Sequence, residues 1–537
     1  LHILMNTLLF VLTVLSVALA DRHAIIIAPR ANWDDYGVQS ESCRMYKDLV
    51  VGGVNPENII LMSTDKVSNH KQNPFPGELF TDDSPKAPGK DYSKGCVEHI
   101  DYESEDMSGA VMLAIMRGDV EELKKLTKKE NPRALHSTAE DNIMLYFTSH
   151  GGPGEILVGN TRVSEKDLIS TIQYMHDNKM YKNFLFLMEA CYSGSMFANL
   201  PKDLNVYAIT AADGDHSSYE SHCPPNDVVD GKSLNTCLSC YWDNAMEWFM
   251  EGGSSHSLDE LYKHTHEKVA EHSTQNVSHF GDLEEMGKMT LADFMGEIPA
   301  GRFNSIKGSS DKVAKSDVPR HLAMWRAIRA DKNELKNALA DYERIVMTEA
   351  KKEVEVMRLG VALMNEKAAD SAMKVSAESY SIDCVRELSH SLVEKCGHSY
   401  PLNEKSMNML KNICLPGVSV PNVDFSEICM YRQIGRSNGS STSCLPMHSS
   451  LRRAGSLLRL ASRQLPQWIH RRYVASEAGY NGRLGSRRRE LRDCLRSHLP
   501  LLFSSGSKRD SITISSVAPR PIAQCDACRS CLFSYRI

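Results

Sequence analysis

Five short apolar runs punctuate residues 24–210 and narrow the fold more than any other feature. They are Ala24-Ile25-Ile26-Ile27, Asn58-Ile59-Ile60-Leu61-Met62, Ile143-Met144-Leu145-Tyr146-Phe147, Phe184-Leu185-Phe186-Leu187 and Val206-Tyr207-Ala208-Ile209. Each is nearly continuous in its apolarity rather than alternating, the pattern of a strand covered on both faces, as in a parallel sheet. Helical patterns lie between several of them, at Cys43 to Val51, Val111 to Leu126 and Glu165 to Met175. Alternating strands and helices predict an α/β layered domain. Residues 70–105, rich in Pro, Gly, Asp and Ser, read as a long exposed excursion.

A second pattern starts after Pro299. The polar run from Ser310 to Asp317 reads as a linker, and helix-rich sequence follows from about His321 to Ile413. Within it Leu335, Leu339, Tyr342 and Val346 mark one apolar face of a helix. From Tyr431 onward periodicity fades and Ser, Gly and Arg take over. Residues 431–537 hold 18 Arg and 1 Lys against 5 acidic residues, a charge of +14; the whole chain carries −6, so its first 430 residues carry −20. Such a tail reads as a disordered extension, with Arg487-Arg488-Arg489 suited to anionic surfaces. So abrupt a shift is also what altered splicing or a change of frame leaves behind. A chain that is 42% hydrophobic and 24% charged is neither wholly disordered, nor collagen-like, nor a polytopic membrane protein. Its acidic body calls for no nucleic-acid partner.

The run Thr7 to Val17, followed by Ala18-Leu19-Ala20, reads as an export signal and is shorter than a membrane span. The expected boundaries are therefore a signal at 1–20, an α/β domain at 21–300, a linker at 301–319, a helical unit at 320–430 and the basic tail at 431–537. Mature protein starting near Asp21 implies no stable membrane insertion and permits disulfides. The chain has 15 Cys, an odd number, so at least one is unpaired within it. Cys237-x-x-Cys240 and Cys525-x-x-Cys528-x-x-Cys531 suggest zinc, but neither has a second half at ligand spacing.

Two strand ends carry the chemistry. Ile143 to Ser149 leads into His150-Gly151-Gly152, and Phe184 to Ala190 leads into Cys191. Ligands in open parallel sheets bind outside the carboxyl ends of strands, so an imidazole and a thiol meet over one crevice. A thiol is a nucleophile once deprotonated, and an imidazole can take its proton and return it to a leaving amine. The N–H groups of Gly151 and Cys191 are placed to form an oxyanion hole.

His150-Gly151 and Glu189-Ala190-Cys191, with Ser193-Gly194-Ser195-Met196 behind them, are similar to the legumain family of asparaginyl endopeptidases. The similarity extends to Tyr146-Phe147-Thr148, Arg117-Gly118-Asp119, Thr210-Ala211-Ala212, Ser217-Ser218-Tyr219 and Asn276-Val277-Ser278-His279, and covers about residues 22–430. It implies a caspase-like α/β fold, a mostly parallel sheet flanked by helices, followed by an all-α C-terminal prodomain. It further implies a cysteine endopeptidase made as a zymogen, with His150 as general acid/base and Cys191 as nucleophile. The family's His-orienting Asn falls at Asp35. Glu189, Ser217 and Ser218 match its primary specificity pocket, which takes Asn or Asp at P1. Family pairing joins Cys384 to Cys414 and Cys396 to Cys429. Asn276 is a glycosylation acceptor, and Asp331, Asn333 and Asn337 are candidate processing positions.

One departure is marked. The family's pocket has an Arg-His pair where this chain has Gly37 and Val38. Without that cation Glu189 is expected to stand unpaired and the P1 preference to be relaxed or altered, a basic P1 residue included. No metal or organic cofactor is implied. The expected partners are protein and peptide substrates and the chain's own helical prodomain, acting as an intramolecular inhibitor that acid releases. The expected location is the secretory pathway, ending in a lysosome or vacuole or outside the cell. The same dyad also serves a transpeptidase or ligase, and a catalytically silent binding protein is the reading from another class.

Overall fold

The computed structural model describes residues 21–82, 91–301, 312–398, 402–417 and 422–429. The signal expected at 1–20, the tail at 431–537 and the Cys525 to Cys531 motif lie outside the described residues. The first part of the chain holds strands β1 (Arg22–Ile27), β2 (Ile59–Met62), β3 (Asn142–Thr148), β4 (Asn183–Glu189), β5 (Val206–Thr210), β6 (Tyr219–Ser221), β7 (Ser239–Cys240) and β8 (Ser278–Gly281). A ninth, β9 (Lys312–Ala314), lies in the linker. All five apolar runs enter one six-stranded sheet of order β8-β5-β4-β3-β1-β2. Its members run parallel except β8, which is antiparallel to β5.

The side-chain alternation of the strands splits their apolar residues between two cores. Ala24 and Ile26 of β1 face one layer, made by α1 (Tyr36–Gly52), α5 (Tyr241–Met250) and α6 (Leu258–Ala270) through residues such as Tyr46, Trp242 and Leu261. Ile25 and Ile27 face the other, made by α2 (Gly109–Met116), α3 (Val120–Thr127) and α4 (Glu165–Asp177) through Met112, Leu123 and Ile172. Each fully buried Ile or Phe contributes roughly 1.5–3 kcal/mol, and burial on both faces explains why the runs do not alternate.

The helix expected over Val111 to Leu126 is two helices. Arg117 closes α2, Gly118 turns with φ +66°, and the Asp119 carboxylate accepts the Glu122 N–H at 2.9 Å to start α3. A Cβ at Gly118 would stand 2.8 Å from the Leu135 carbonyl oxygen, so the turn admits only glycine. The Arg117-Gly118-Asp119 tripeptide is thus a helix junction.

The second part is helical: α7 (Val318–Arg329), α8 (Leu335–Leu363), α9 (Glu366–Ala372), α10 (Ile382–Cys396) and α11 (Glu404–Ile413). Asn365, Ser381 and Asn403 cap α9, α10 and α11 through their side chains, and Gly397 ends α10 in the left-handed region. Val356 and Leu359 of α8 pack with Leu388 of α10 and Leu410 of α11. The face marked by Leu335, Leu339, Tyr342 and Val346 is only half-buried, and the buried residues of α8 lie further along, at Glu355, Val356, Leu359 and Gly360. Disulfides join Cys384 to Cys414 and Cys396 to Cys429 in this unit, and Cys43 to Cys96 and Cys223 to Cys237 in the first.

Candidate active site

Strands β3 and β4 are in parallel register with Thr148 opposite Glu189, and the Ser149 N–H donates to the Glu189 carbonyl at 3.1 Å. His150 and Cys191 therefore leave adjacent strand ends within two residues of one rung. Tyr192 turns sharply after the cysteine, with φ +57°, held by its N–H to the His216 carbonyl at 2.8 Å. Gly151 lies so close to this turn that a Cβ there would meet the Cys191 carbonyl oxygen at 2.4 Å.

The imidazole is oriented from α1's entry. His150 Nε2 is 2.9 Å from Asp35 Oδ1, and Asp35 Oδ2 accepts from Arg30 Nε at 3.0 Å. Burial opposes the Asp35 charge, but His150 and Arg30 outweigh it and hold the carboxyl below its usual range. An ionised carboxylate only accepts, so Nε2 carries the proton. Nδ1, buried and without a hydrogen-bond partner, keeps its lone pair. Burial lowers the His150 pKa, a shift toward the neutral ring, against the pull of Asp35. Cys191 Sγ accepts from the Ser218 N–H at 3.4 Å and lies 3.7 Å from Ser218 Oγ; burial pushes the thiol up against the pull of Lys315.

Ser218 is buried beside Cys191, Ser217 is half-buried one residue before it, and Glu189 is fully buried behind both. Glu189 is not unpaired, which corrects the sequence expectation. The ammonium of Lys315, at the end of β9, pairs with its carboxylate. Lys315 Nζ also donates to the Ser149 carbonyl at 3.0 Å and lies 3.6 Å from Glu220 Oε1. Burial opposes the Lys315 charge, and the acidic groups facing it outweigh burial and keep the ammonium well above its ordinary range. Burial pushes the Glu189 carboxyl up and the Glu220 carboxyl to about 7, in both cases against the pull of Lys315.

Arg30, Glu220 and Lys315 escaped the sequence reading. Glu220 directly follows the Ser217-Ser218-Tyr219 motif, a usable signal. Lys315 sat in a run read only as polar linker, although Val313 between Lys312 and Ala314 has strand character.

The helical unit covers this site. Cys191 and Tyr192 belong to the same apolar cluster as Val385, Leu388 and Leu410. Lys411 Nζ reaches Asp215 Oδ1 at 3.0 Å, Tyr380 Oη donates to the Gly214 carbonyl at 3.0 Å, Arg326 meets Asp34 at 2.6 Å and Arg329 meets Asp227 at 2.8 Å. Asn276 is exposed, and its amide donates to Asp213 at 2.6 Å. Asp331 caps the turn at Asn333, while Asn337 lies inside α8. Cys237 is tied to Cys223, and Cys240 is a buried thiol, so that pair offers no two-cysteine ligand. Among the described residues Glu355, Cys396 and His398 converge as metal ligands would, but the Cys396–Cys429 disulfide removes the thiolate.

The chain carries a histidine and a cysteine at adjacent strand ends of a mostly parallel α/β sheet flanked by helices, and its relatives make it a cysteine endopeptidase. The sequence model of the Peptidase C13 family matches residues 22–297, and the chain belongs to that family. It is 28% identical to the hemoglobinase of Schistosoma japonicum, over 75% of this chain and 92% of that protein. It is 34% identical to the legumain of Mus musculus, over 51% of this chain and 59% of that one. With the vacuolar-processing enzyme delta-isozyme of Arabidopsis thaliana it shares 27% identity, over 74% and 88%. A solved caspase-1 from Spodoptera frugiperda aligns with 53% of this chain and 94% of its own at 11% identity and a TM-score of 0.29, too loose a likeness to bear on the site.

Proposed function

We propose that the protein hydrolyses peptide bonds through a Cys191 acyl-enzyme, with His150 as general acid/base. The observation that carries this is the Arg30–Asp35–His150 chain, which points the unpaired Nδ1 of the imidazole away from its carboxylate. Nδ1 takes the thiol proton, and Sγ attacks the scissile carbonyl carbon. The C–N bond then breaks as Nδ1 gives the proton to the leaving nitrogen. Water, deprotonated by Nδ1, attacks the thioester; the C–S bond breaks and the thiol regains its proton. The N–H groups of Gly151 and Cys191 hold the oxyanion, each worth about 3 kcal/mol in such sites.

The full chain is a zymogen in this reading, its helical unit an inhibitor lying over Cys191. Asp331, Asn333 and Asn337 are processing candidates; the first two lie in an exposed turn, whereas cutting at Asn337 requires α8 to unwind. Four disulfides suit passage through an oxidising secretory compartment toward a lysosome, a vacuole or the exterior, with a glycan at the exposed Asn276. No described helix is long and apolar enough to cross a membrane. The resemblance implies Asn or Asp at P1, although two carboxylates, Glu189 and Glu220, wall this pocket.

The test is incubation of purified full-length protein across acidic pH, with mass mapping of new ends and assay of peptide turnover. Cys191→Ala and His150→Ala are each expected to lower turnover by at least about 10³-fold. Turnover unchanged in Cys191→Ala overturns the reading, and transfer to an added amine in place of water reassigns the enzyme as a transpeptidase.

A further inference from the structure

We infer that the primary specificity pocket selects a basic P1 side chain, lysine or arginine, and that Lys315 occupies it as the chain's own P1 mimic. This rests on the peptidase reading above and concerns what that peptidase cleaves.

The backbone of the linker follows the course of a bound substrate. β9 pairs antiparallel with β6, Ala314 opposite Tyr219, Val313 opposite Glu220 and Lys312 opposite Ser221. One residue further, the Lys315 N–H donates to the Ser218 carbonyl at 3.1 Å. Ser218 is also the residue whose own N–H meets Cys191 Sγ. The same residue thus holds both the backbone of Lys315 and the nucleophile. Strand addition of this kind is how extended peptides dock on an open sheet edge, with side-chain pockets supplying the choice.

The side chain completes the argument. Lys315 is 2% exposed, and its ammonium is shared by Glu189, Glu220 and the Ser149 carbonyl at the pocket floor. Two buried carboxylates without a cation are costly, and one ammonium between them relieves both. Position 37, which faces Glu220, is glycine and supplies no cation. A Cβ there would stand 2.9 Å from Glu220 Oε2 and 3.2 Å from the Ser239 backbone, so the space a larger residue needs is taken by Glu220. With both carboxylates ionised, only a cationic side chain that enters supplies the balancing charge. Asparagine brings no charge, and aspartate brings a third carboxylate; neither balances the pocket.

The experiment compares fluorogenic amides of Val-Ala-Lys, Val-Ala-Arg, Val-Ala-Asn and Val-Ala-Asp. It uses the acid-treated full chain and its Cys191→Ala, Glu220→Gln and Lys315→Ala variants. The Lys and Arg peptides are expected to exceed the Asn peptide by about 100-fold in kcat/KM, because a site built around buried polar groups rejects ligands that leave them unmatched. Glu220→Gln is expected to cut the ratio of Lys to Asn turnover by at least about tenfold. Lys315→Ala is expected to raise turnover by the untreated full chain. If Glu220→Gln does not fold, agmatine serves on the wild type and is expected to compete with the peptide substrate. Cys191-dependent turnover of Asn with Lys left uncut, or no competition by agmatine, overturns the basic-P1 assignment and leaves the peptidase standing. No turnover of any peptide, together with no Cys191-dependent labelling by a peptide chloromethyl ketone, overturns the peptidase itself.

Discussion

Asp35 biases the protonation of the His150 imidazole. Its charge, held by Arg30, raises the His150 pKa against the lowering effect of burial. Asp35→Asn keeps an acceptor for Nε2–H but removes that charge. The imidazolium then becomes harder to form, so the acid limb of the kcat/KM profile moves to lower pH and kcat/KM falls by at least about tenfold. A pH–rate profile of wild type and variant checks both; an acid limb that stays in place argues against His150 as the titrating base. Position 37 makes the complementary point. Gly37→Arg forces Glu220 to shift and offers it a cation of its own, which is expected to cost most of the turnover of a Lys peptide in a matched peptide assay. His150 and Cys191 were legible because each ends an apolar run, and position along a strand can be read locally. Glu220 and Lys315 were not, because their pairing joins residues 95 apart and depends on a backbone path that composition does not reveal.

Among the elements, the five runs were read as strands because burial on both faces leaves a continuous apolar signature. β8 (Ser278–Gly281) was missed: it is short, antiparallel, at the sheet edge and mostly polar. β9 was missed for a related reason, since its partner β6 is a short strand outside the main sheet. In the helical unit the Cys384–Cys414 disulfide clamps α10 to the end of α11 across 30 residues. Replacing Cys384 by Ser is expected to destabilise that unit by about 3.6 kcal/mol, the chain-entropy value for such a loop; calorimetry of the full chain measures it. Packing between α8 and α11 depends on Gly360, where a Cβ would meet Met409 Sδ at 2.4 Å. Gly360→Val is expected to lower the unfolding temperature of the helical unit and to expose Cys191 to alkylation at neutral pH.

Across the whole molecule, the ammonium in the pocket couples closure to pH. Glu220 sits at about 7 with Lys315 present, burial, Glu189 and Asp35 raising it and Lys315 and the Cys240 contact lowering it. While burial, the largest raising influence, is kept, withdrawing Lys315 removes the largest lowering one, so the empty pocket binds a proton more tightly than the filled one. Opening therefore takes up protons, and falling pH favours it down to about 7 through Glu220. Glu189, paired directly with Lys315 and likewise raised by burial, adds to the same sign. Hydrogen-exchange protection of the Lys315 amide, corrected for intrinsic rate, is expected to fall between pH 8 and pH 5. Constant protection over that range sinks the coupling.

In the proposed zymogen, strand β9 is part of the same chain as the groove it fills. If the bond after Lys315 is severed, the new carboxylate end remains covalently joined to the peptidase through Ala314 and the residues before it. A tethered product of this kind faces its groove at an effective concentration in the millimolar range. Scission alone does not vacate the pocket; the freed end must unzip from β6, or be trimmed upstream, before a foreign peptide can compete. Activation of such a chain should show a lag that does not shorten with enzyme concentration.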